Sequence, residues 1–178
     1  ELDAREICSP SFVVQPASLG DELCREKNVH VELMGGVYHM PTNTSVLVPD
    51  GVIISAATHA SVELVYDGGP RFLPGSRCML GSLGPNAGWT LQGITVTVAS
   101  NISCNTANGV DTPGNAVVCF GGGGSAVVNA TIRTLRQPGF RFCHLLHASG
   151  GRGFSVHSST FHLAMEYSHQ ALPRVFSV

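Results

Sequence analysis

The feature that most constrains the fold is a block of nine residues that occurs three times in the second half of the chain. The blocks run from Gly88 to Val96, from Gly124 to Ile132 and from Gly153 to Phe161. Each has an apolar fourth residue, a small or polar sixth residue, and a threonine before a large apolar residue at its end. These threonines recur after 36 and 29 residues. Periods of that length predict a β-solenoid, whose successive coils stack as parallel strands about 4.8 Å apart.

Alternation within the blocks predicts which side chains face the interior, because successive residues of a strand point to opposite faces. The expected interior columns contain the apolar residues of the three blocks: Leu91, Val96, Val127, Ile132, Val156 and Phe161. The expected outward neighbours are mostly polar: Gln92, Thr97, Arg133, His157 and His162. About four to five such coils fit into the length of the chain.

The stretch 31–56 shows a similar pattern of short strands that end at Gly, Pro, Asn or Asp. Within it, Gly36-Val37-Tyr38 is followed by Val48-Pro49-Asp50-Gly51-Val52-Ile53-Ile54. This arrangement resembles the first coil of pectin-lyase-like right-handed parallel β-helices, which carry a GxY step and a PDGV return in these places. The resemblance implies an all-β, right-handed parallel β-helix of four to five coils, preceded by a short capping helix. It implies no particular chemistry, because one fold supports many functions.

Residues 1–30 differ from the rest and are predicted to form an N-terminal cap segment, followed by the parallel β-helix at 31–178. The segment from Ser18 to Lys27 has a serine at a helix N-cap position, acids in its first turn and bases in its last. A helix here would cover the open edge of the first coil. A bridge between Cys8 and Cys24 is the pairing that we expect to hold it, with other partners for both cysteines left open.

Cysteines and glycosylation sequons together favour a secreted or cell-surface glycoprotein. Six cysteines permit three disulfides, and we expect Cys104–Cys119 around the loop 99–118, which leaves Cys78 for Cys143. Predicted N-glycosylation sites open the three N-x-S/T triplets: Asn43, Asn101 and Asn129. For Asn129 the alternative is a stacked asparagine of the solenoid. Only 12% of the residues are charged, and no apolar run is long enough to span a bilayer.

Charge divides unevenly along the chain. Residues 1–68 contain ten acids and three bases, a net charge of −7, whereas residues 69–178 contain Asp111 and Glu166 against seven arginines, a net charge of +5. Chain order is also spatial order in a solenoid, so the two charges are expected at opposite ends. A head-to-tail contact between copies would then join unlike charges, and such a contact makes a fibre if it does not close.

Catalysis is not predicted. The lyases and hydrolases of the fold that the resemblance implies need carboxylates grouped on neighbouring coils. From Gly69 onward the only Asp and Glu residues are Asp111 and Glu166, which are expected in different coils. His144, His147, His157 and His162 are interpreted as surface residues rather than as metal ligands, and no cofactor is expected. The arginines of the second half are predicted to form a basic face for glycan or partner binding: Arg133, Arg136, Arg141, Arg152 and Arg174.

The function that we predict from these patterns is a non-catalytic extracellular structural module that associates head to tail, as a subunit of a filament, adhesin or coat. Its expected partners are itself or other cell-surface proteins, and an acidic polysaccharide is a further option. Nucleic acid is not expected, because no RNA-binding motif accompanies the arginines. The alternative function is a glycan-binding or polyuronide-degrading β-helix protein, and the chain as one domain of a larger surface protein is a third possibility.

Overall fold

A computed structural model describes residues 12–14, 30–40, 46–67, 78–81, 88–99, 116–121, 123–135, 144–149, 153–162 and 176–177. The regular secondary structure in these ranges is β-strand throughout. The described residues contain no helix of the length and hydrophobicity that a membrane span requires. The predicted capping helix, Ser18 to Lys27, lies outside the described residues, as does most of the predicted cap segment 1–30.

The strands follow one another along the chain with few residues in each. They are β1 (Phe12–Val14), β2 (His30–Leu33), β3 (Gly36–His39), β4 (Val46–Leu47), β5 (Ile53–Ala56), β6 (Val62–Tyr66), β7 (Cys78–Gly81), β8 (Thr90–Gln92), β9 (Ile94–Val98), β10 (Ala116–Gly121), β11 (Ala126–Val128), β12 (Thr131–Thr134), β13 (His144–Ser149), β14 (Ser155–His157), β15 (Thr160–His162) and β16 (Phe176–Ser177).

Three all-parallel sheets contain these strands, and from β2 onward each sheet takes every third strand. Sheet A has the order β1-β2-β5-β8-β11-β14, sheet B β16-β13-β10-β7-β4, and sheet C β15-β12-β9-β6-β3. From β2 onward the chain visits sheets A, C and B in turn, five times. We call each visit to the three sheets a turn. This repeating order is that of a parallel β-solenoid and confirms the all-β, parallel part of the predicted fold.

Strand register confirms the alignment of the three repeat blocks. Val127 lies between Leu91 and Val156 in sheet A, and Thr131 lies between Thr95 and Thr160 in sheet C. The interior columns of all three sheets continue through the earlier turns. Sheet A stacks Val31, Ile54, Leu91, Val127 and Val156; sheet C stacks Tyr38, Leu64, Val96, Ile132 and Phe161; sheet B stacks Val46, Leu80, Val118 and Leu146.

Burial along these columns is complete until the last turn. The members in the first four turns are buried, so each stacked apolar side chain contributes roughly 1.5–3 kcal/mol of hydrophobic free energy. Val156, by contrast, is 40% exposed, and Phe161 is only partly buried. The prediction that Val156 is a buried interior residue is therefore wrong. Val156 does occupy the predicted column, but it is exposed because β11 is the one described strand that pairs with β14.

Glycine forms a column of its own at the corner between sheets B and A. Gly51, Gly88, Gly124 and Gly153 each stand two residues before a strand of sheet A. A Cβ atom on Gly88 would overlap the carbonyl oxygen of Gly123, so this position has no room for a side chain. The Gly51 amide donates to the Gly88 carbonyl oxygen at 2.6 Å. The glycine repeat is thus a stacked corner of the solenoid.

The sequence Pro49-Asp50-Gly51 gains a structural role at this same corner. An oxygen of the Asp50 carboxylate accepts a hydrogen bond from the Gly88 amide at 2.9 Å. Because Gly88 belongs to the next corner of the column, the aspartate joins two successive turns through one side chain. The motif therefore stabilises the stacking of the corners, as expected for an architectural element.

Candidate functional site

The outer face of sheet C carries a hydrogen-bonded cluster of charged and polar side chains. Register places Glu63, Thr95, Thr131 and Thr160 in one outward column. The adjacent outward column contains Val65, Thr97, Arg133 and His162. Side chains in these columns repeat at the spacing of stacked strands, about 4.8 Å. The face is therefore a regular polar surface across the later turns.

Glu63, Thr97 and Arg133 form a hydrogen-bonded triad that spans three turns. The Thr97 hydroxyl donates to Glu63 Oε1, and Arg133 Nε donates to Thr97 Oγ1 at 2.9 Å. Arg133 Nη2 also donates to Glu63 Oε1 at 2.9 Å, which closes the triad with an ion pair. The hydrogen bond from Thr97, followed by that from Arg133, holds the pKa of Glu63 below its usual range. The carboxylate is thereby kept ionised and bound.

Thr97 departs from the predicted pattern in an informative way. Its side chain lies on the outer face as expected, yet the residue is only 2% exposed because it sits within the triad. Gln92, His157 and His162 are exposed, as predicted, and Arg133 is partly exposed. Outward orientation and solvent exposure are thus separate properties in a solenoid, because long side chains on neighbouring strands cover short ones.

Two histidines in the first turn also bond to the second turn. His39 Nδ1 lies 2.7 Å from Asp67 Oδ2, and both side chains are largely exposed. His30 Nε2 lies 2.7 Å from the Ser55 hydroxyl oxygen on sheet A. Neither contact was predicted from the sequence, although the register of the first two turns pairs His30 with Ile53, two residues before Ser55 on the adjacent strand.

The predicted basic face is represented in the described structure by Arg133. Its guanidinium group is bonded to Glu63 and Thr97 rather than left for a ligand. The other predicted members lie outside the described residues: Arg136, Arg141, Arg152 and Arg174. Of the predicted surface histidines, His157 and His162 are exposed on different sheets. No group of three or more metal-binding side chains is gathered within the described ranges.

The disulfide pattern differs from the prediction. Cys78 is bonded to Cys119, 41 residues away, so the predicted pairings Cys104–Cys119 and Cys78–Cys143 are both wrong. The bond joins neighbouring strands β7 and β10 of sheet B instead of closing a loop. Cys8, Cys24, Cys104 and Cys143 lie outside the described residues.

Buried residues fill both strands around this disulfide. In β7 the consecutive residues Met79 and Leu80 belong to the main core, and in β10 Val117 and Val118 do so too. The alternation of buried and exposed residues that is usual in a half-buried strand is therefore absent from these two strands. Cys78 and Cys119 flank these core residues and pack with Ala116 in a separate buried cluster.

Of the three predicted glycosylation sites, the structure describes Asn129. It lies exposed at the corner between sheets A and C, with a φ of 49°. Gly93 and Ser158 occupy the same place in the neighbouring turns and also have positive φ values, of 68° and 48°. Asparagine is among the non-glycine residues that best tolerate this left-handed conformation. Exposure makes the side chain accessible for glycan attachment, while Asn43 and Asn101 lie outside the described residues.

Comparisons with known proteins return no relatives. The chain matches no protein-family model, no curated protein and no solved structure.

Proposed function

We propose that this chain is a non-catalytic extracellular structural glycoprotein module, built as a right-handed parallel β-helix of the pectin-lyase-like kind, that associates head to tail with further copies. A subunit of a filament, an adhesin or a cell-wall coat is the class of protein that fits this description. The observation that carries the proposal is the use of polar and charged groups as links between turns of the solenoid.

Three links of different chemistry support this view. Asp50 bonds to the Gly88 amide of the next corner, Glu63 bonds to Arg133 two turns further on, and the disulfide joins the second turn to the third. In a solenoid the backbone of each turn pairs only with the neighbouring turns, so resistance to separation depends on bonds between turns, and the long side chains of Glu63 and Arg133 add a bond across the turn between them. Side chains committed to such bonds serve cohesion of the stack, which is what a structural module requires.

The extracellular part of the proposal rests on the disulfide and on the exposed sequon asparagine. Disulfides persist in oxidising compartments, and Asn129 is placed where a glycan can project from a corner. Intact-mass measurement of the protein secreted by a eukaryotic host, before and after deglycosylation and reduction, tests both features. We expect a mass loss on deglycosylation and a mass gain of two hydrogens per reduced disulfide. A chain that shows neither change contradicts the extracellular assignment.

Head-to-tail association is supported by the distribution of charge. In the described ranges of the first two turns the formal charges are all acidic: Glu32, Asp50, Glu63 and Asp67. In those of the last three turns, Arg133 is the only Asp, Glu, Lys or Arg side chain, and it is paired with Glu63. The basic surplus is a property of the sequence of residues 69–178, whose net charge is +5. Light scattering across protein concentration and salt tests the association. We expect the mass to rise with concentration and to fall with added salt, because salt screens attraction between exposed charges. A monomer under all conditions contradicts association.

A further inference from the structure

The outer face of sheet A is a regular surface with little formal charge. Its strands pair in register from β2 to β14, so their outward side chains form two straight columns. One column is His30, Ile53, Thr90, Ala126 and Ser155, and the other is Glu32, Ser55, Gln92, Val128 and His157. The described strands β5, β8, β11 and β14 contain no Asp, Glu, Lys or Arg, although about a quarter of the residues of soluble proteins are charged. The face therefore has few charges that would oppose its contact with another surface.

Solvent reaches this face in every turn. Four of the five turns contribute an exposed side chain: His30, Ile53, Gln92 and His157. The fourth turn contributes Ala126 and Val128, which are partly exposed. Asn129 follows the end of β11 at the corner with sheet C, so a glycan there borders the face without belonging to it. Mostly small side chains on a sheet allow a second sheet to approach to about 10 Å, the usual spacing of packed sheets.

The order of side chains along the two columns is complementary to its own reverse. When a second copy is rotated by half a turn about the direction of β8, the middle strand of these five, β2 lies opposite β14 and β5 lies opposite β11. Glu32 then faces His157 of the second copy, whose imidazole can donate a hydrogen bond to the carboxylate. Ile53 faces Ala126, and Gln92 faces Gln92, whose amide groups can bond to each other. Each match occurs twice, as a two-fold contact requires.

We propose that the outer face of sheet A is a lateral interface at which two copies pack face to face with antiparallel solenoid axes, with Gln92 at the two-fold axis. Charge favours this orientation over parallel axes. Parallel axes set the two acidic parts, residues 1–68 with a net charge of −7 each, side by side, whereas antiparallel axes set each beside residues 69–178, with a net charge of +5. The inference goes beyond the proposed head-to-tail association, because it uses a side of the solenoid rather than its ends.

The size of the face determines how the contact must be measured. Five strands stack about 4.8 Å apart and each contributes about three residues, so the face measures roughly 20 Å by 10 Å. A stable pair of proteins buries about 800 Å² per partner, so two single copies are expected to associate weakly through sheet A. Copies joined end to end would repeat the contact and bind more strongly. A covalent method that captures brief contacts is therefore suitable.

Cross-linking of single-cysteine variants of the full chain tests the contact. Gln92→Cys changes an exposed residue in the middle of sheet A, and Thr95→Cys, an outward residue of the same turn on sheet C, is the matched control. Each variant is treated with a short bis-maleimide. We expect the covalent dimer of Gln92→Cys at a yield at least about tenfold above that of Thr95→Cys, because association raises the local thiol concentration at sheet A alone. Equal yields overturn the proposal.

A second pair of variants tests the orientation of the two copies. Ile53→Cys and Ala126→Cys change residues on strands that flank β8, and antiparallel axes place these residues opposite each other. The two variants are distinguished by mass tags and mixed before cross-linking, and we expect the mixed product to exceed either self-product. The self-product of Ile53→Cys as the main species indicates parallel axes and overturns the proposal.

The outcomes separate this interface from the head-to-tail association. Association in light scattering without the Gln92→Cys dimer overturns the lateral contact and leaves the proposed function intact. The Gln92→Cys dimer in a chain that forms no larger species supports the lateral contact and contradicts head-to-tail association. Cross-linking of the parent chain and circular dichroism of each variant serve as controls for other thiols and for folding.

Discussion

The first and last turns of the solenoid contain matched side chains in the same columns, yet they differ sharply in burial. Val31 and Val156 share the column of sheet A, and Tyr38 and Phe161 share that of sheet C. The first-turn members are buried, whereas Val156 is 40% exposed. In sheet A the difference has a visible cause, because β1 packs on β2 and β14 has only β11 beside it among the described strands. Burial in a solenoid is thus decided by the neighbours on both sides of a strand.

Removal of the disulfide between Cys78 and Cys119 is expected to change the free energy of unfolding most, since the bond lies in the well-packed part of the stack. Replacing both Cys78 and Cys119 by alanine removes a cross-link between residues 41 apart, which lowers the free energy of unfolding by about 4 kcal/mol in the chain-entropy picture. Urea unfolding followed by the fluorescence of Trp89 measures the change. Amide exchange in β14 and β15 is expected to stay fast in both proteins. A loss below about 1 kcal/mol would show that the bond adds little to the packed turns.

The same substitution, phenylalanine to alanine, can be made in the third turn and at the start of the last turn to compare their packing. Phe120 is buried and stacks on Trp89 with ring centroids 4.4 Å apart, while Phe154 is partly buried at 5.2 Å from Phe120. We expect Phe120→Ala to cost about 3–5 kcal/mol, as in other cores, and Phe154→Ala less than half as much. Equal losses in urea unfolding would mean that the last turn is as well packed as the third.

The two valines at the ends of the sheet A column make the comparison most directly. Val31→Ala deletes two buried methyl groups and is expected to cost about 2 kcal/mol, including the cavity. Val156→Ala removes groups that solvent already reaches, so we expect a loss below about 1 kcal/mol. Denaturant titration of both variants tests the difference. A larger loss for Val156→Ala would refute the open character of the last turn.

The pH dependence of stability tests the ion pair between Glu63 and Arg133, which joins the second turn to the fourth. Because the folded-state pKa of Glu63 is lowered, its contribution is present above the unfolded value of about 4.5 and is lost as the pH falls through the folded value. We expect Glu63→Gln to lower stability at neutral pH by about 0.5–1 kcal/mol and to flatten the acid limb of the stability profile. Asp67→Asn, which affects the more exposed pair with His39, is the control and should cost at most about 0.5 kcal/mol. An acid limb unchanged in Glu63→Gln would exclude Glu63 as its source.

The parallel stacking and the register of the later turns could be predicted from the sequence because each repeat block contains residues of the two strands that flank one corner. Leu91, Val127 and Val156 could be aligned by their distance from a glycine, and that distance is preserved in the structure. The first turn was predictable for a similar reason, since Gly36 and the Pro49-Asp50-Gly51 sequence mark its corners. Short segments with fixed corners leave few possible alignments.

Contacts between turns were harder to predict, because they depend on how many residues separate one strand from its neighbour. Cys78 meets Cys119 across a separation of 41 residues, and Glu63 meets Arg133 across 70. The connections between sheets C and B differ in length from turn to turn, so a fixed period does not locate these partners. The burial of every residue in β10 adds a second difficulty, since strict alternation would not place Val117 and Val118 both in the core.

The left-handed corner at Asn129 has a consequence for experiments on glycosylation. Replacing this asparagine by glutamine would remove the sugar acceptor and, at the same time, a side chain suited to a φ of 49°. Thr131→Val abolishes the same acceptor triplet at an outward strand position and leaves the corner unchanged. A defect seen with Asn129→Gln and absent with Thr131→Val would therefore report a misfitted backbone, and only a defect shared by both variants would report a missing carbohydrate.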